Sequence, residues 1–369
     1  MNKQPTRSVL ILGGAGFIGS NLAHHLLTCT EAKVHIFDNL SRAGVYHNLE
    51  WLKKTAGKSG RLQVTIGDIR DARLVEKALL PATEIYHFAA QAAVTTSVAD
   101  PRLDFEVNLM GTFNVLEAAR KSGNRPFILF TSTNKVYGDL QLGDPVVTRT
   151  SYIYPDHRGV SELQPLDFHS PYGCSKGAAD QYVHDFARIY KLPTVVFRMS
   201  CIAGPRQFGT EDQGWVAHFL YSALRRTPVV IYGDGRQVRD VLCIYDLLHA
   251  LEMAWQHQSV TAGQIFNIGG GIDNTVSLLE LIEEIEQLTD VHIQYVRDER
   301  RPGDQLVYIT DYGKMQKTTG WKPAFSVRET LELMRQFWSE NREAVAGHSS
   351  ANAPVETYAL ATELSGRAG

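Results

Sequence analysis

Cysteine is scarce in this chain, with four residues in 369, at Cys29, Cys174, Cys201 and Cys243, and no Cys-x-x-Cys pair. Isolated thiols among apolar neighbours supply no pattern for a disulfide framework or a zinc site, so no metal is expected, and they suit the reduced interior of a cytoplasmic protein. A surplus of one charge is also missing: 37 basic side chains face 40 acidic ones, a net charge of −3. Nothing there neutralises a row of phosphates, which argues against sequence-independent nucleic-acid binding. No apolar run approaches the roughly 18 residues of a membrane helix, and Met1–Arg7 gives way to a strand-like run before a signal-peptide core could form. No membrane partner is expected. What is present, 44% hydrophobic and 21% charged residues, is the composition of a globular protein with a large core.

The first two hundred residues alternate short apolar runs with helical periods. Val9–Leu12, Val34–Phe37, Val64–Ile66, Ile85–Phe88, Phe127–Phe130 and Val195–Phe197 read as strands buried on both faces. Between them Ile18–Leu27, Leu74–Leu80, Phe105–Lys121 and Lys176–Tyr190 read as helices. Strands separated by helices predict an α/β fold, a doubly wound parallel sheet of Rossmann type with a smaller C-terminal α/β region. The expected division is a dinucleotide-binding domain over 1–199, rejoined by 241–268, and a substrate-binding domain over 200–240 and 269–340. Gly138–Ser170 reads as a long loop, Trp215–Leu224 as a helix, and 341–369, rich in Ala, Ser and Gly, as a disordered tail.

After the first strand comes Gly13-Gly14-Ala15-Gly16-Phe17-Ile18-Gly19, opening a helix. Gly13 allows a tight turn, Gly16 a close approach of backbone to pyrophosphate, and Gly19 close packing of helix on strand, with Phe17 and Ile18 on the same edge of the site. The pyrophosphate then meets the free amides of a helix N-terminus. Asp38 ends the second strand 38 − 19 = 19 residues past the last glycine, near the spacing of about 20 expected of an acid on the adenosine ribose. A carboxylate there repels a 2′-phosphate and points to NAD over NADP, although Arg42 nearby argues the other way. Asn39 follows Asp38. Two further strand ends face the same crevice. Asp68 is placed by the adenine amino group with Ile69 against the ring, and Ala89-Ala90-Gln91 lets the cofactor approach past small side chains.

The strand Phe127–Phe130 runs into Thr131-Ser132-Thr133-Asn134-Lys135-Val136-Tyr137-Gly138, and the next motif is Ser170-Pro171-Tyr172-Gly173-Cys174-Ser175-Lys176. Positions i and i+4 share a helix face, so Tyr172 and Lys176 point together. A free tyrosine, with a pKa near about 10, is a poor base at neutral pH, and an adjacent ammonium lowers that value. Tyr172 is therefore expected to take the proton of a substrate hydroxyl as hydride leaves the same carbon, with Lys176 also on the nicotinamide ribose and Thr133 sharing the hydroxyl.

With these residues assembled, the chain from about Ser8 to Trp338 resembles the extended short-chain dehydrogenases/reductases, in particular the nucleotide-sugar epimerase/dehydratase group. Within it, Ser132–Asp139, Leu166–Tyr182, Arg206-Gln207-Phe208, Asp212–Trp215 and Gln237–Leu242 look like the members that invert C2 of a CDP-linked sugar. The resemblance implies bound NAD, transient oxidation of C2 and hydride return, with CDP-paratose becoming CDP-tyvelose. It also implies substrate contacts at Gln91, Thr133, Asn134, Arg206, Gln213, Trp215, Val216, Arg239 and Arg301, the last two arginines on the diphosphate, and a homodimer built on helices 105–121 and 176–190. Elimination, the chemistry of the 4,6-dehydratases, needs an acid and a base beside Thr133, where this chain has Asn134-Lys135. A C4 epimerase, a C2 epimerase of another nucleotide sugar and a non-catalytic NAD sensor remain the alternatives. Ala203 stands where the family has an aromatic, a change expected to enlarge the sugar pocket.

Overall fold

A computed structural model describes residues 7–42, 44–301 and 303–342. The tail expected from 341 lies, past Arg342, outside the described residues. The fold centres on seven parallel strands: β1 (Ser8–Leu12), β2 (Lys33–Asp38), β3 (Leu62–Ile66), β4 (Glu84–His87), β5 (Phe127–Thr133), β6 (Thr194–Met199) and β7 (Gln264–Ile268). Their order across the sheet is β7-β6-β5-β4-β1-β2-β3. The chain starts in the middle, winds outward to β3, then returns across β1 to build the other half. The reversal lies between β1 and β4, the crevice where doubly wound sheets bind their ligands.

Side-chain alternation sorts each strand between two cores. Val9, Ile11, Val34, Ile36 and Leu129 face α1 (Phe17–Cys29), α2 (Val45–Ala56) and the later helix Ile244–Gln256. Leu10, Leu12, Phe37, Ile128 and Phe130 face α3 (Ala72–Leu79), α4 (Gly111–Ser122) and α5 (Ser170–Tyr190). With apolar side chains on both faces, the inner strands read as continuous hydrophobic runs. β3 is the exception, being an edge strand with Ile66 65% exposed, so the expected two-sided burial of Val64–Ile66 is corrected. The expected helix 105–121 is broken in two by a π-helical turn at Glu106–Met110.

Beyond β6 the chain builds a third core around Phe219, Leu220, Ile231, Leu281 and Trp338. Here Val238–Cys243 pairs with Cys201–Ala203, Thr275–Ser277 and Val307–Tyr308. The 138–170 segment holds a small antiparallel pair, Val146–Val147 with Tyr152–Ile153, and is tied down by Tyr152 donating to Asp234 at 2.7 Å. All four cysteines are free, and Cys29 and Cys174 are exposed rather than set in apolar surroundings as their neighbours suggested.

Candidate active site

The glycine loop is built as its spacing requires. Gly13 has φ +79° and crosses so close to the end of β4 that a Cβ on it would stand 2.7 Å from the amide nitrogen of Ala89. Gly16 starts α1 with no side chain capping the helix, which leaves backbone amides at that end. A Cβ on Gly19 would lie 2.3 Å from the Gly13 carbonyl, so the first turn of α1 rests directly on the loop. Phe17 and Ile18, half-buried, pack against the first core.

Asp38 sits at the end of β2, its carboxylate accepting from the Ala15 amide at 3.0 Å and the Leu40 amide at 2.8 Å. Burial raises its pKa and these amides hold it down. One carboxylate thus both braces the glycine loop and puts negative charge at the crevice. Asn39 reaches Asp68 at 3.3 Å, and Asp68 is gripped by the Arg70 fork at 2.9 and 3.0 Å, which draws its pKa below the usual carboxylate range. Ile69 is not laid open for a ring: its side chain is buried against Gly111 in the second core. Ala89 and Ala90 line the crevice as small, half-buried residues. The Gln91 amide is closed on the chain itself, donating to the Ala93 carbonyl at 2.8 Å and Asp104 at 3.0 Å and accepting from the Ala93 amide, so it is not turned outward to a substrate.

Thr133 ends β5, where its hydroxyl is 3.4 Å from Asn134 Oδ1, accepts from the Lys135 amide at 3.2 Å and acts to hold the pKa of the Tyr172 phenol down. Tyr172 lies in the first turn of α5, its backbone amide donating to Ser97 Oγ at 3.1 Å. Four residues on, Lys176 is 3% exposed; its Nζ donates to the Thr131 carbonyl at 2.6 Å and lies 4.1 Å from the Phe130 ring centre. The three residues converge, but the expected lowering of the tyrosine is reversed. Burial pushes Tyr172 up to about 12 and Lys176 down to about 7. Desolvation dominates both groups, and the ammonium is engaged by a backbone carbonyl and an aromatic face.

On the far side of Thr133, Asn134 donates to Gln305 at 3.2 Å, and Gln305 in turn donates to the Gly138 carbonyl at 2.6 Å. Lys135 reaches the Gly303 carbonyl at 3.2 Å and Asp304 at 3.3 Å. Arg239, 7% exposed, donates to the same Asp304 carboxylate at 2.5 Å and to the Gln305 carbonyl at 2.7 Å. Arg301 is stacked on Tyr232 at 3.9 Å and ion-paired with Asp212 at 3.2 Å. Both arginines therefore already hold acids. Sequence reasoning passed over Lys135 and Asp304 as site residues; the signal was the Arg301–Asp304 string, whose acid was left unassigned.

Arg206, Val216 and Trp215, expected at the substrate, are engaged within the chain. Arg206 stacks on Trp51 at 3.9 Å and on Phe337 at 5.1 Å, packed between helices, and burial lowers its pKa to about 10. Val216 is buried in the third core. Trp215 packs edge-on against Phe219 and donates its indole N–H to Cys201 at 3.3 Å. Ala203, whose small side chain was expected to enlarge the sugar pocket, is fully buried in the third core. Gln213, half-buried, bridges backbone to backbone with Thr210, and its side-chain oxygen has no partner.

The sequence profile of the GDP-mannose 4,6 dehydratase family matches residues 10–334. The chain belongs to that family. It is therefore an extended short-chain dehydrogenase/reductase, as the motifs implied. It is 42% identical over 341 residues to the CDP-paratose 2-epimerase of Salmonella typhi, covering 90% of this chain and 99% of the relative. Among solved structures it is similar to the UDP-glucose 4-epimerase of Thermus thermophilus in complex with NAD, with a TM-score of 0.76 and 30% identity over 90% of this chain and 99% of that one. It is also similar to the dTDP-glucose 4,6-dehydratase DesIV of Streptomyces venezuelae with NAD and TYD bound, with a TM-score of 0.79 and 28% identity over 92% and 99% of the two chains. No helix among the described residues is long and apolar enough to cross a membrane.

Proposed function

We propose that the protein is an NAD-dependent epimerase of nucleotide-diphosphate sugars that converts CDP-paratose to CDP-tyvelose by inversion at C2. The observation that carries this reading is the company Thr133 keeps. Tyr172 feels its hydroxyl and Lys176 follows on the same helix, while the next two positions are an amide and an ammonium, held by Gln305 and Asp304. Redox at a carbinol carbon is provided for. The acid and base that water elimination demands at those positions are not. The 42% identity to a CDP-paratose 2-epimerase supports the substrate.

The crevice fits NAD. Gly13 and Gly16 present bare backbone at the uncapped start of α1, suited to a pyrophosphate, and Asp38 places one carboxylate where the adenosine ribose hydroxyls would lie. NAD, when bound, takes a hydride from the sugar carbon and returns it. In this reading Tyr172 acts as its phenolate: Oη receives the proton of the C2 hydroxyl and later gives it back, and Thr133 Oγ1 hydrogen-bonds the same oxygen. Lys176 supplies positive charge beneath the phenolic oxygen and holds the nicotinamide ribose. Arg239 and Arg301, with Lys135 beside them, hold the diphosphate, since a guanidinium fork matches phosphate oxygens. Residues 1–199 and 241–268 serve the cofactor, and 200–240 and 269–340 the nucleotide sugar. We place the enzyme in the cytoplasm as a homodimer. Phe105, Met110, Tyr182, Ile189 and Tyr190, all exposed around α5, supply the apolar face a partner would cover.

The test is incubation with a panel of CDP-, UDP-, GDP- and dTDP-sugars in heavy water, with the product read by proton NMR. CDP-paratose should invert at C2 without gaining deuterium there. Deuterium at the inverted carbon would replace the redox cycle with enolisation, and inversion at C4 of another sugar would reassign the substrate.

A further inference from the structure

Asp104 is the buried acid that the proposed chemistry leaves unused. It is 0% exposed, at the end of the short helix Pro101–Phe105, just before the π-helical turn. Its Oδ1 lies 3.0 Å from Asn108 Nδ2 and 3.0 Å from Gln91 Nε2, and its Oδ2 lies 2.5 Å from Ser175 Oγ. The amide orientations are set by other bonds. Asn108 Oδ1 accepts from the Gln91 amide at 2.9 Å, and Gln91 Oε1 accepts from the Ala93 amide at 2.6 Å. Both amide nitrogens must therefore face Asp104, which meets three potential donors and needs to donate to none. That is the environment of a carboxylate.

The π-helical turn explains the aim. Its wider winding brings Asn108 round to touch Asp104, Gln91 and Ser175 at once, at 3.0, 2.9 and 3.1 Å. Ser175 lies between Tyr172 and Lys176 on α5, and its hydroxyl is also 3.2 Å from the Tyr172 carbonyl. No cation is bonded directly to Asp104 among the described residues. The charges it acts on are those of the catalytic pair, and it favours the protonated form of both Tyr172 and Lys176.

We propose that Asp104 is a positioning residue of the redox centre, a buried negative charge that holds the first turn of α5 through Ser175 and, by its charge alone, supports the Lys176 ammonium. This rests on the epimerase reading for its functional meaning, while its physical content concerns residues of this chain alone. Other groups facing the pair must be held constant. Lys176 also feels Asp180 from its own helix and lies near His87 from β4, and Tyr172 feels Thr133 and Arg42.

Asp104→Asn removes the charge and keeps the shape, and its amide can still bond Ser175 Oγ while its oxygen accepts from Asn108 and Gln91. Without the charge, the Lys176 ammonium and the neutral Tyr172 phenol both lose support, so both groups titrate at lower pH. The first readout is independent of turnover: lysine labelled at its ε-carbon is followed by isotope-edited NMR, with the Lys176 signal identified by its loss in Lys176→Arg. Its midpoint should fall by about half a pH unit or more in Asp104→Asn and stay in place in Ser175→Ala, which keeps the charge. The second readout is the kcat pH profile with the nucleotide sugar, which should move to lower pH in Asp104→Asn with KM little changed. An unmoved Lys176 midpoint overturns the proposal whatever the substrate proves to be, whereas a wild type inactive on every sugar overturns only the epimerase reading. If Asp104→Asn does not fold, Asp104→Ser removes the same charge and is read in the same way.

Discussion

Lys135 and Arg239 meet on one atom: the ammonium lies 3.3 Å and the guanidinium 2.5 Å from the same Oδ1 of Asp304. Two cations brought together in a half-buried place repel, and the carboxylate between them relieves that repulsion. A diphosphate arriving there would do the same. Arg239→Met should therefore raise KM for the nucleotide sugar by about ten- to a hundredfold, the worth of one charge-assisted bond, with a smaller change in kcat. Asp304→Asn should lower KM, because it removes the competitor. Steady-state kinetics on both variants checks the pair, and an unchanged KM for Arg239→Met would take Arg239 out of the nucleotide site.

Tyr172→Phe deletes one oxygen and leaves the glycine loop untouched. The expected loss in kcat is roughly a hundred- to ten-thousandfold, the usual contribution of positioned proton transfer, with NAD content after purification unaltered. Ultraviolet absorbance of nucleotide released on denaturation, measured beside turnover, separates the two. Full activity would remove Tyr172 from the chemistry.

Lys176 carries a pH dependence of known sign. Burial lowers it to about 7 in the folded chain from the usual 10.5. Between those values the unfolded chain binds a proton that the folded chain does not, so the Lys176 contribution makes folding more favourable as pH rises through that window. Denaturant unfolding of nucleotide-free protein across the window should show the rise, and Lys176→Met should flatten it by the amount attributable to this one group. Parallel curves for the two proteins would contradict it.

Arg198 is 3% exposed and bound through two nitrogens to Asp180, at 2.9 Å each, with a third bond to Tyr137 at 3.1 Å. Replacing one member of such a pair strands the other without water. Asp180→Ala should cost about 3–5 kcal/mol in a urea titration, far more than loss of an exposed pair such as Arg149–Glu283.

The sheet was legible because Val9–Leu12, Phe127–Phe130 and Val195–Phe197 are apolar on both faces, a pattern that only interior parallel strands need. Helix α2 was not, since its run includes His47, Asn48, Lys53 and Lys54, and it buries one narrow stripe through Val45, Leu49 and Leu52. Within the site, what depended on backbone was readable: Gly13, Gly19 and Asp38 act through turns and amides close to the glycine loop. What depended on distant side chains was not. Asn134 is claimed by Gln305, 171 positions on, Arg206 by Trp51, and Asp104 by Ser175, 71 positions away. No local pattern announces a partner that only folding supplies. The Tyr172–Lys176 spacing sets the two one turn apart on α5, but does not announce the desolvation that reverses the shift expected of Tyr172.

β7 pairs with β6 along its whole length, Gln264 opposite Val195 through Ile268 opposite Met199, yet dozens of residues that build another core separate the two strands. During synthesis from the N-terminus, six strands of the sheet are complete while one border still shows unpaired backbone groups. That border closes only after residue 268 has left the ribosome. The nascent chain thus passes through a stage in which an exposed β6 invites pairing with neighbouring chains, and chaperone demand should be concentrated between the emergence of residues 199 and 268.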